Sequence, residues 1–266
     1  MSTVRTHCSI DADGRITFRL RPPAATEPRL VLALRPGKGR PEETTHTLGL
    51  APHGDDGEFR AVLEPEPRLA EGRWDVYLLA GPDDAGRERL RPGLRDVRAL
   101  VDGGGRRDRP SPVAVRVPYT TKDGFLAIRA WLRTAHAEAG PVTVADGGTT
   151  VRARLHGAPL SDGAEAVLRL RGGKDTLLGV PVRPAEDGCF SFTVVHADLV
   201  GDGGRVWDVF LRPAAGAPLT RVGRLLDDVA DRKDVFVYPR VTEGGSAVRP
   251  YYTVDNDLAV EVTALG

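Results

Sequence analysis

The chain carries one short pattern twice, half its length apart. Residues 73–78 read Arg-Trp-Asp-Val-Tyr-Leu, and residues 205–211 read Arg-Val-Trp-Asp-Val-Phe-Leu. Trp74 and Trp207 are 133 positions apart in a chain of 266 residues. Other landmarks return in the same order. Leu-Arg-Pro-Gly-Lys at 34–38 returns as Leu-Arg-Gly-Gly-Lys at 170–174, an offset of 136. Asp56-Gly57-Glu58-Phe59 returns as Asp187-Gly188-Cys189-Phe190, and Val117-Pro118-Tyr119-Thr120 returns as Pro250-Tyr251-Tyr252-Thr253. An internal repeat fixes the number of folding units before any fold is chosen. It implies repeat 1 over 1–133, a short linker over 134–140 and repeat 2 over 141–266, each of ordinary domain size.

Within each repeat the apolar residues alternate in short runs between Gly, Pro and Asp, the period of strands. Strands are expected near 16–20, 30–34, 44–50, 59–63, 74–78, 113–119 and 125–131 in the first half. In the second they are expected near 149–155, 165–171, 176–182, 189–195, 205–212, 219–226, 235–239, 246–252 and 258–264. This predicts an all-β chain of two tandem immunoglobulin-like antiparallel β-sandwich domains related by the repeat. With 31 Gly and 21 Pro, a helix-rich fold is disfavoured. One short helix is expected near 130–139, ended by Gly140-Pro141.

Side chains alternate faces along a strand. Trp74, Val76 and Leu78 therefore share a core face, as do Trp207, Val209 and Leu211. Asp75 and Asp208 lie on the other face, where a turn-facing or hydrogen-bonding Asp on a solvated strand face is simpler than a ligand carboxylate. Leu126, Ile128 and Ala130 match Leu258, Val260 and Val262 as core. The opposite face carries Phe125, Arg129 and Trp131 in the first copy, where the second has Asp257, Glu261 and Thr263. These three residues either pack between the halves or form an aromatic platform for a ligand such as a sugar. Packing is the simpler account, because Trp131 adjoins the linker. Arg35 with Lys38, and Arg171 with Lys174, sit in equivalent turns. They are solvated hairpin residues or a basic pair for an anion. The Gly-rich loop 102–110 is another place where the copies diverge.

The chemistry-bearing motifs are missing: no H-E-x-x-H, C-x-x-C, G-x-S-x-G or phosphate-loop pattern occurs. The six His do not recur in register, and Asp11-Ala12-Asp13 reads as a turn. No catalytic residue, metal site or cofactor is assigned. The two cysteines, Cys8 and Cys189, occupy different repeat positions, so both are expected as free thiols. The net charge is zero, with the first half at +4 and the second at −4. That balance argues against a nucleic-acid partner. No apolar run is long enough to span a membrane, and no signal peptide is read, so a cytoplasmic protein is expected. Only four of the 37 basic residues are Lys. That bias fits a GC-rich, actinobacterial coding genome.

The series Trp-Asp-Val-Tyr/Phe-Leu, then Gly-Arg-Leu, then Val-Arg-Pro-Tyr-Tyr-Thr and Leu-Ala-Val resembles a known set of accessory domains. These are the tandem β-sandwiches found C-terminal to actinobacterial cell-wall polymer transferases. Such enzymes include CDP-glycerol glycerophosphotransferase-like proteins and family 2 teichoic-acid glycosyltransferases. The resemblance covers both repeats but leaves no room for a catalytic domain. It implies a role beside a transferase: assembly with a glycosyltransferase, binding of an anionic glycopolymer, or both. Two other readings stand beside it, self-association into a homo-oligomer through sandwich edges and a transferase with an unrecognised site.

Overall fold

The structure is a computed structural model that describes residues 4–23, 27–37, 44–81, 86–102, 109–173, 176–201 and 204–265. Among the described residues the chain is all-β apart from two short helical turns, Arg98–Val101 and His196–Asp198. It gathers into two compact units. Unit 1 comprises Met1–Arg107, Ala114–Leu132 and Leu226–Ala230, and unit 2 comprises Asp108–Val113, Arg133–Leu225 and Asp231–Gly266.

Unit 1 is built from β1 (Arg5–Ile10), β2 (Ile16–Leu20), β3 (Arg29–Leu34), β4 (Thr45–Gly49), β5 (Ala51–Pro52), β6 (Phe59–Leu63), β7 (Gly72–Leu79), β8 (Glu88–Arg89), β9 (Arg91–Asp96), β10 (Val113–Thr120) and β11 (Leu126–Arg133). One sheet runs β5-β6-β2-β1-β9 and the other β10-β11-β7-β3-β4, with β8 also on β7. Burial follows the alternation in sequence: Ile16, Phe18 and Leu20 are buried, as are Trp74, Val76 and Leu78. Burying such side chains supplies about 1.5–3 kcal/mol each. Pairing is antiparallel except for β1 with β9.

Unit 2 contains β12 (His136–Ala145), β13 (Gly148–His156), β14 (Glu165–Leu170), β15 (Leu177–Pro181), β16 (Arg183–Pro184), β17 (Cys189–Val195), β18 (Arg205–Arg212), β19 (Thr220–Gly223), β20 (Val241–Glu243), β21 (Ser246–Tyr252) and β22 (Leu258–Ala264). Its strands form one hydrogen-bonded series, β16-β17-β13-β12-β19-β18-β22-β21-β20, with β14 and β15 branching from β18. Strand β19 makes the join: it runs parallel to β12 and antiparallel to β18. The core draws on both layers, with Phe190, Phe192 and Val151 from one and Trp207, Leu168 and Val260 from the other.

The repeat is also a repeat of register. Leu34 pairs with Trp74, and Ile128 pairs with the same Trp74 from the other side. Leu170 and Val260 flank Trp207 in the same way. Each indole N–H donates to a backbone carbonyl, Trp74 to Ala70 at 3.0 Å and Trp207 to Leu199 at 3.2 Å. The hairpins before β11 and β22 match as well. The Thr121 hydroxyl accepts from Phe125 N–H (3.0 Å), and the Thr253 hydroxyl accepts from Asp257 N–H (3.3 Å).

Two expectations are corrected. The helix expected over 130–139 does not form: Ala130–Arg133 end β11, and His136 begins β12. Ala, Leu and Glu favour helix only weakly, and pairing with β7 and β13 outweighs that preference. Residues 136–140 of the expected linker are therefore strand. The strand expected at 235–239 is an extended segment without a sheet partner among the described residues. It leaves a tight turn in which Val235 N–H and Phe236 N–H both donate to Arg232 C=O, at 3.0 Å each. Strands β1, β5, β8, β9, β12, β16 and β20 were not expected.

Candidate functional site

The polar residues that recur in the repeat meet inside each unit. The loop after β3 carries Arg35 back over β7, where its Nε and Nη2 donate to the two carboxylate oxygens of Asp75 at 2.8 Å each. In unit 2 the loop after β14 brings Arg171 to Asp208 in the same two-pronged way, through Nε at 3.3 Å and Nη2. The backbone fixes both: Arg35 N–H donates to Arg73 C=O and Arg171 N–H to Val206 C=O, each at 2.8 Å. Forked pairing of this kind combines energy with a set geometry. The hydrogen bond from Asp75 holds the Arg35 guanidinium above its ordinary pKa, and Asp208 does the same for Arg171. The aspartates are thus hydrogen-bonding residues, one of the simple roles expected of them. The sequence already contained the signal, since Arg and Asp both return in register.

A second arginine repeats without having been anticipated. Arg89 on β8 lies opposite Tyr77, and Arg221 on β19 lies opposite Phe210. In unit 1, Arg89 also reaches Asp75 at 3.0 Å and covers the Phe125 ring at 4.2 Å, with Arg91 over the same ring at 5.0 Å. In unit 2 the residue equivalent to Phe125 is Asp257, and Arg221 pairs with it at 2.9 Å. Arg133 closes on the same carboxylate at 2.7 Å. One architecture thus holds a cation against an aromatic ring in one copy and against a carboxylate in the other.

Around Asp257 lies a buried polar group assembled from distant segments. His136 Nε2 and Leu225 N–H both meet Glu138 Oε2 at 2.8 Å. His156 lies directly across from His136 in the β12–β13 register and is buried. Neither of its ring nitrogens has a hydrogen-bond partner among the described residues. Burial pushes the His156 imidazole down to about 4, and the charge of His136 acts in the same direction. Asp257 is shifted upward: its burial outweighs Arg133 and Arg221.

The remaining candidates fall as follows. Phe125 is half-buried beneath its two arginines. Arg129 is buried on β11 opposite Arg73 and stacks on Trp131 at 5.0 Å. Trp131 is itself buried, so its ring is not an exposed platform. Lys38 and Lys174 lie outside the described residues, as does most of the 102–110 loop. Among the described residues no group of three or more His, Cys, Asp or Glu is placed to hold a metal ion. No helix among them is long and apolar enough to cross a membrane. In unit 1 an open hollow of about 540 Å³ is lined by Arg5, His7, Arg21, Glu58 and Glu88 among others. In unit 2 one of about 550 Å³ lies beside Arg171, Arg205 and Glu261, and a smaller trough of about 230 Å³ lies between Phe236, Tyr238 and Tyr251.

Comparison with known proteins gives remote likenesses. No family model and no curated protein matches the chain. Among solved structures it is similar to S. aureus TarS, at 13% identity and a TM-score of 0.31 over 76% of this chain and 38% of that one. The fragment of S. aureus TarS spanning residues 217–571 gives 13% identity and a TM-score of 0.31 over 72% of this chain and 55% of that one. A bacterial ice-binding adhesin gives 12% identity and a TM-score of 0.20, over 82% and 95% of the two chains. The chain thus spans well under two thirds of the TarS structures that it resembles, and at these TM-scores the likeness carries no functional argument.

Proposed function

We propose that the chain is a non-catalytic binding or assembly module that works beside a transferase of cell-envelope glycopolymer synthesis, in the cytoplasm. The observation that carries this reading is the repeated clamp. The polar residues that recur in both copies, Arg35 with Asp75 and Arg171 with Asp208, are spent on each other. A repeat that kept a reaction would keep its polar residues turned toward a substrate. This one spends them on each other, tying the loop after β3 to β7 and the loop after β14 to β18. The motif series shared by both halves supports a transferase as the partner. In this reading the halves divide near residue 133 as tandem domains, and Lys38 and Lys174 are candidates for contact with an anionic polymer. The test is an affinity capture with the full chain from its own source, together with retention on arrays of anionic glycopolymers. Recovery of a glycosyltransferase, or retention on the polymer, is expected. Failure of both overturns the reading.

Self-association is a second reading, favoured by Leu94. It is 77% exposed on β9, which ends its sheet. An apolar side chain on an open edge invites pairing with another copy. A strictly monomeric mass by light scattering at high concentration removes it.

A further inference from the structure

We propose that the trough in unit 2 binds one sugar or polyol unit carrying a phosphodiester, the repeating chemistry of an anionic glycopolymer. This deepens the module reading and rests on it. The trough lies between the segment after Arg232, where the two halves of the sequence diverge, and the end of β21. From the tight turn at Arg232 the chain runs extended, and its side chains alternate. Val235 and Val237 point outward, 63% and 72% exposed, while Phe236 and Tyr238 turn inward and are only half-exposed. Their rings are held from behind. Both lie 6.2 Å from the ring of Tyr252, which is fully buried. Arg232, also fully buried, stacks on Phe236 at 4.5 Å and on Tyr252 at 5.4 Å, and Arg224 stacks on Phe236 at 5.2 Å. Rings fixed in this way form a wall that exists before any ligand arrives, which lowers the ordering cost of binding.

The open side of that wall is a trough of about 230 Å³ lined by Lys233, Phe236, Tyr238, Arg249, Pro250 and Tyr251. Its size is below the roughly 300–1,000 Å³ of drug-sized sites, which suits a single small unit of a chain passing over the surface. The lining is mixed in a specific way. Phe236, Tyr238, Pro250 and Tyr251 supply apolar lining for the C–H side of a sugar or polyol. Arg249, braced by Glu261 at 2.8 Å, and the exposed Lys233 supply cations for a phosphodiester. Asp234 lines the same trough and suits a donor hydroxyl. Exposed aliphatic residues flanking an aromatic hollow are what a binding surface leaves open in the free protein.

The experiment is isothermal titration of the full chain with a synthetic glycerol-phosphate oligomer, glycerol 3-phosphate, a neutral oligosaccharide and inorganic phosphate. The oligomer is expected to bind and the neutral sugar and inorganic phosphate to bind weakly or not at all. Tyr251→Leu and the exposed-site variant Lys233→Glu are each expected to weaken the oligomer about tenfold. Arg152→Glu, exposed on β13, is expected to leave it unchanged. Glycerol 3-phosphate binding as tightly as the oligomer supports the same chemistry with a free polyol phosphate as the source. Inorganic phosphate binding as tightly as the oligomer overturns the assignment of a sugar or polyol. Unchanged affinity in both trough variants also overturns the site, while leaving the module reading intact. A wild-type chain that binds none of the probes, yet captures a transferase, refutes the trough alone. Failure in both experiments refutes both.

Discussion

Lowering the pH should destabilise unit 2 through His156, and the size of the effect can be worked from the fold. His156 is 2% exposed, neither ring nitrogen has a partner among the described residues, and its imidazole is pushed down to about 4. In the unfolded chain it titrates near 6.5. Between these values the unfolded chain binds more protons than the folded one, so stability falls as the pH falls through that window. Above about 6.5 the imidazole is neutral in both states and costs nothing. Below about 4 it is charged in both, and the loss levels off. Each pH unit crossed inside the window costs about 1.36 kcal/mol, so the loss attributable to this one residue is roughly 3 kcal/mol. The clean comparison is His156→Leu, which keeps an apolar side chain in the pocket and removes the titration. Hydrogen exchange of peptides spanning 136–156, followed from pH 7 to pH 4 in wild type and variant, isolates the difference from other titrating groups. The pH dependence of the variant should be shallower by roughly 3 kcal/mol over this range. Equal pH dependence in the two proteins, or a His156 ring that titrates near its ordinary value by NMR in the folded chain, refutes the reasoning.

Three further outcomes are expected. Arg133→Met leaves the buried Asp257 with Arg221 as its remaining arginine, and should cost unit 2 about 3–5 kcal/mol in denaturant melts. Gly223→Ala places a Cβ 2.7 Å from the backbone oxygen of Asn256, and a backbone that must shift should cost about 1–3 kcal/mol by the same assay. The buried Cys8 thiol is pushed up to about 12, so an aromatic disulfide reagent should label the half-buried Cys189 first and reach Cys8 only on unfolding.

The strands were legible where one face is core and the other is not. Ile16-Phe18-Leu20 and Trp74-Val76-Leu78 advertise their period, and both appear as read. Strand β11 was expected at 125–131 and runs Leu126–Arg133, although both of its faces are buried from Leu126 to Trp131. Its end and the start of β12 were misread, because a run without alternation looks the same as a buried helix and the Ala and Glu that follow favour one. The clamps were half legible. Each partner was noted as recurring, but pairing Arg35 with Asp75 across 40 positions needed the β3–β7 register. The group around Asp257 was not legible: Arg133, His136 and Glu138 come from one stretch, Arg221 from β19 and Asp257 from the hairpin before β22, and none carries a local pattern. The aromatic trough was hidden for a related reason, since its alternating Val-Phe-Val-Tyr is the signature of a strand.

Strand β19 stitches the two layers of unit 2, being hydrogen-bonded to β12 in one and β18 in the other. In unit 1 the segment 88–96 does the same work: β8 pairs with β7, β9 pairs with β1, and only Leu90 separates them. Leu90 N–H donates to Val76 C=O at 3.0 Å, and the next residue, Arg91, donates to Val4 C=O at 3.1 Å. A force that would part either sandwich by sliding its layers must therefore first break backbone hydrogen bonds in one short segment.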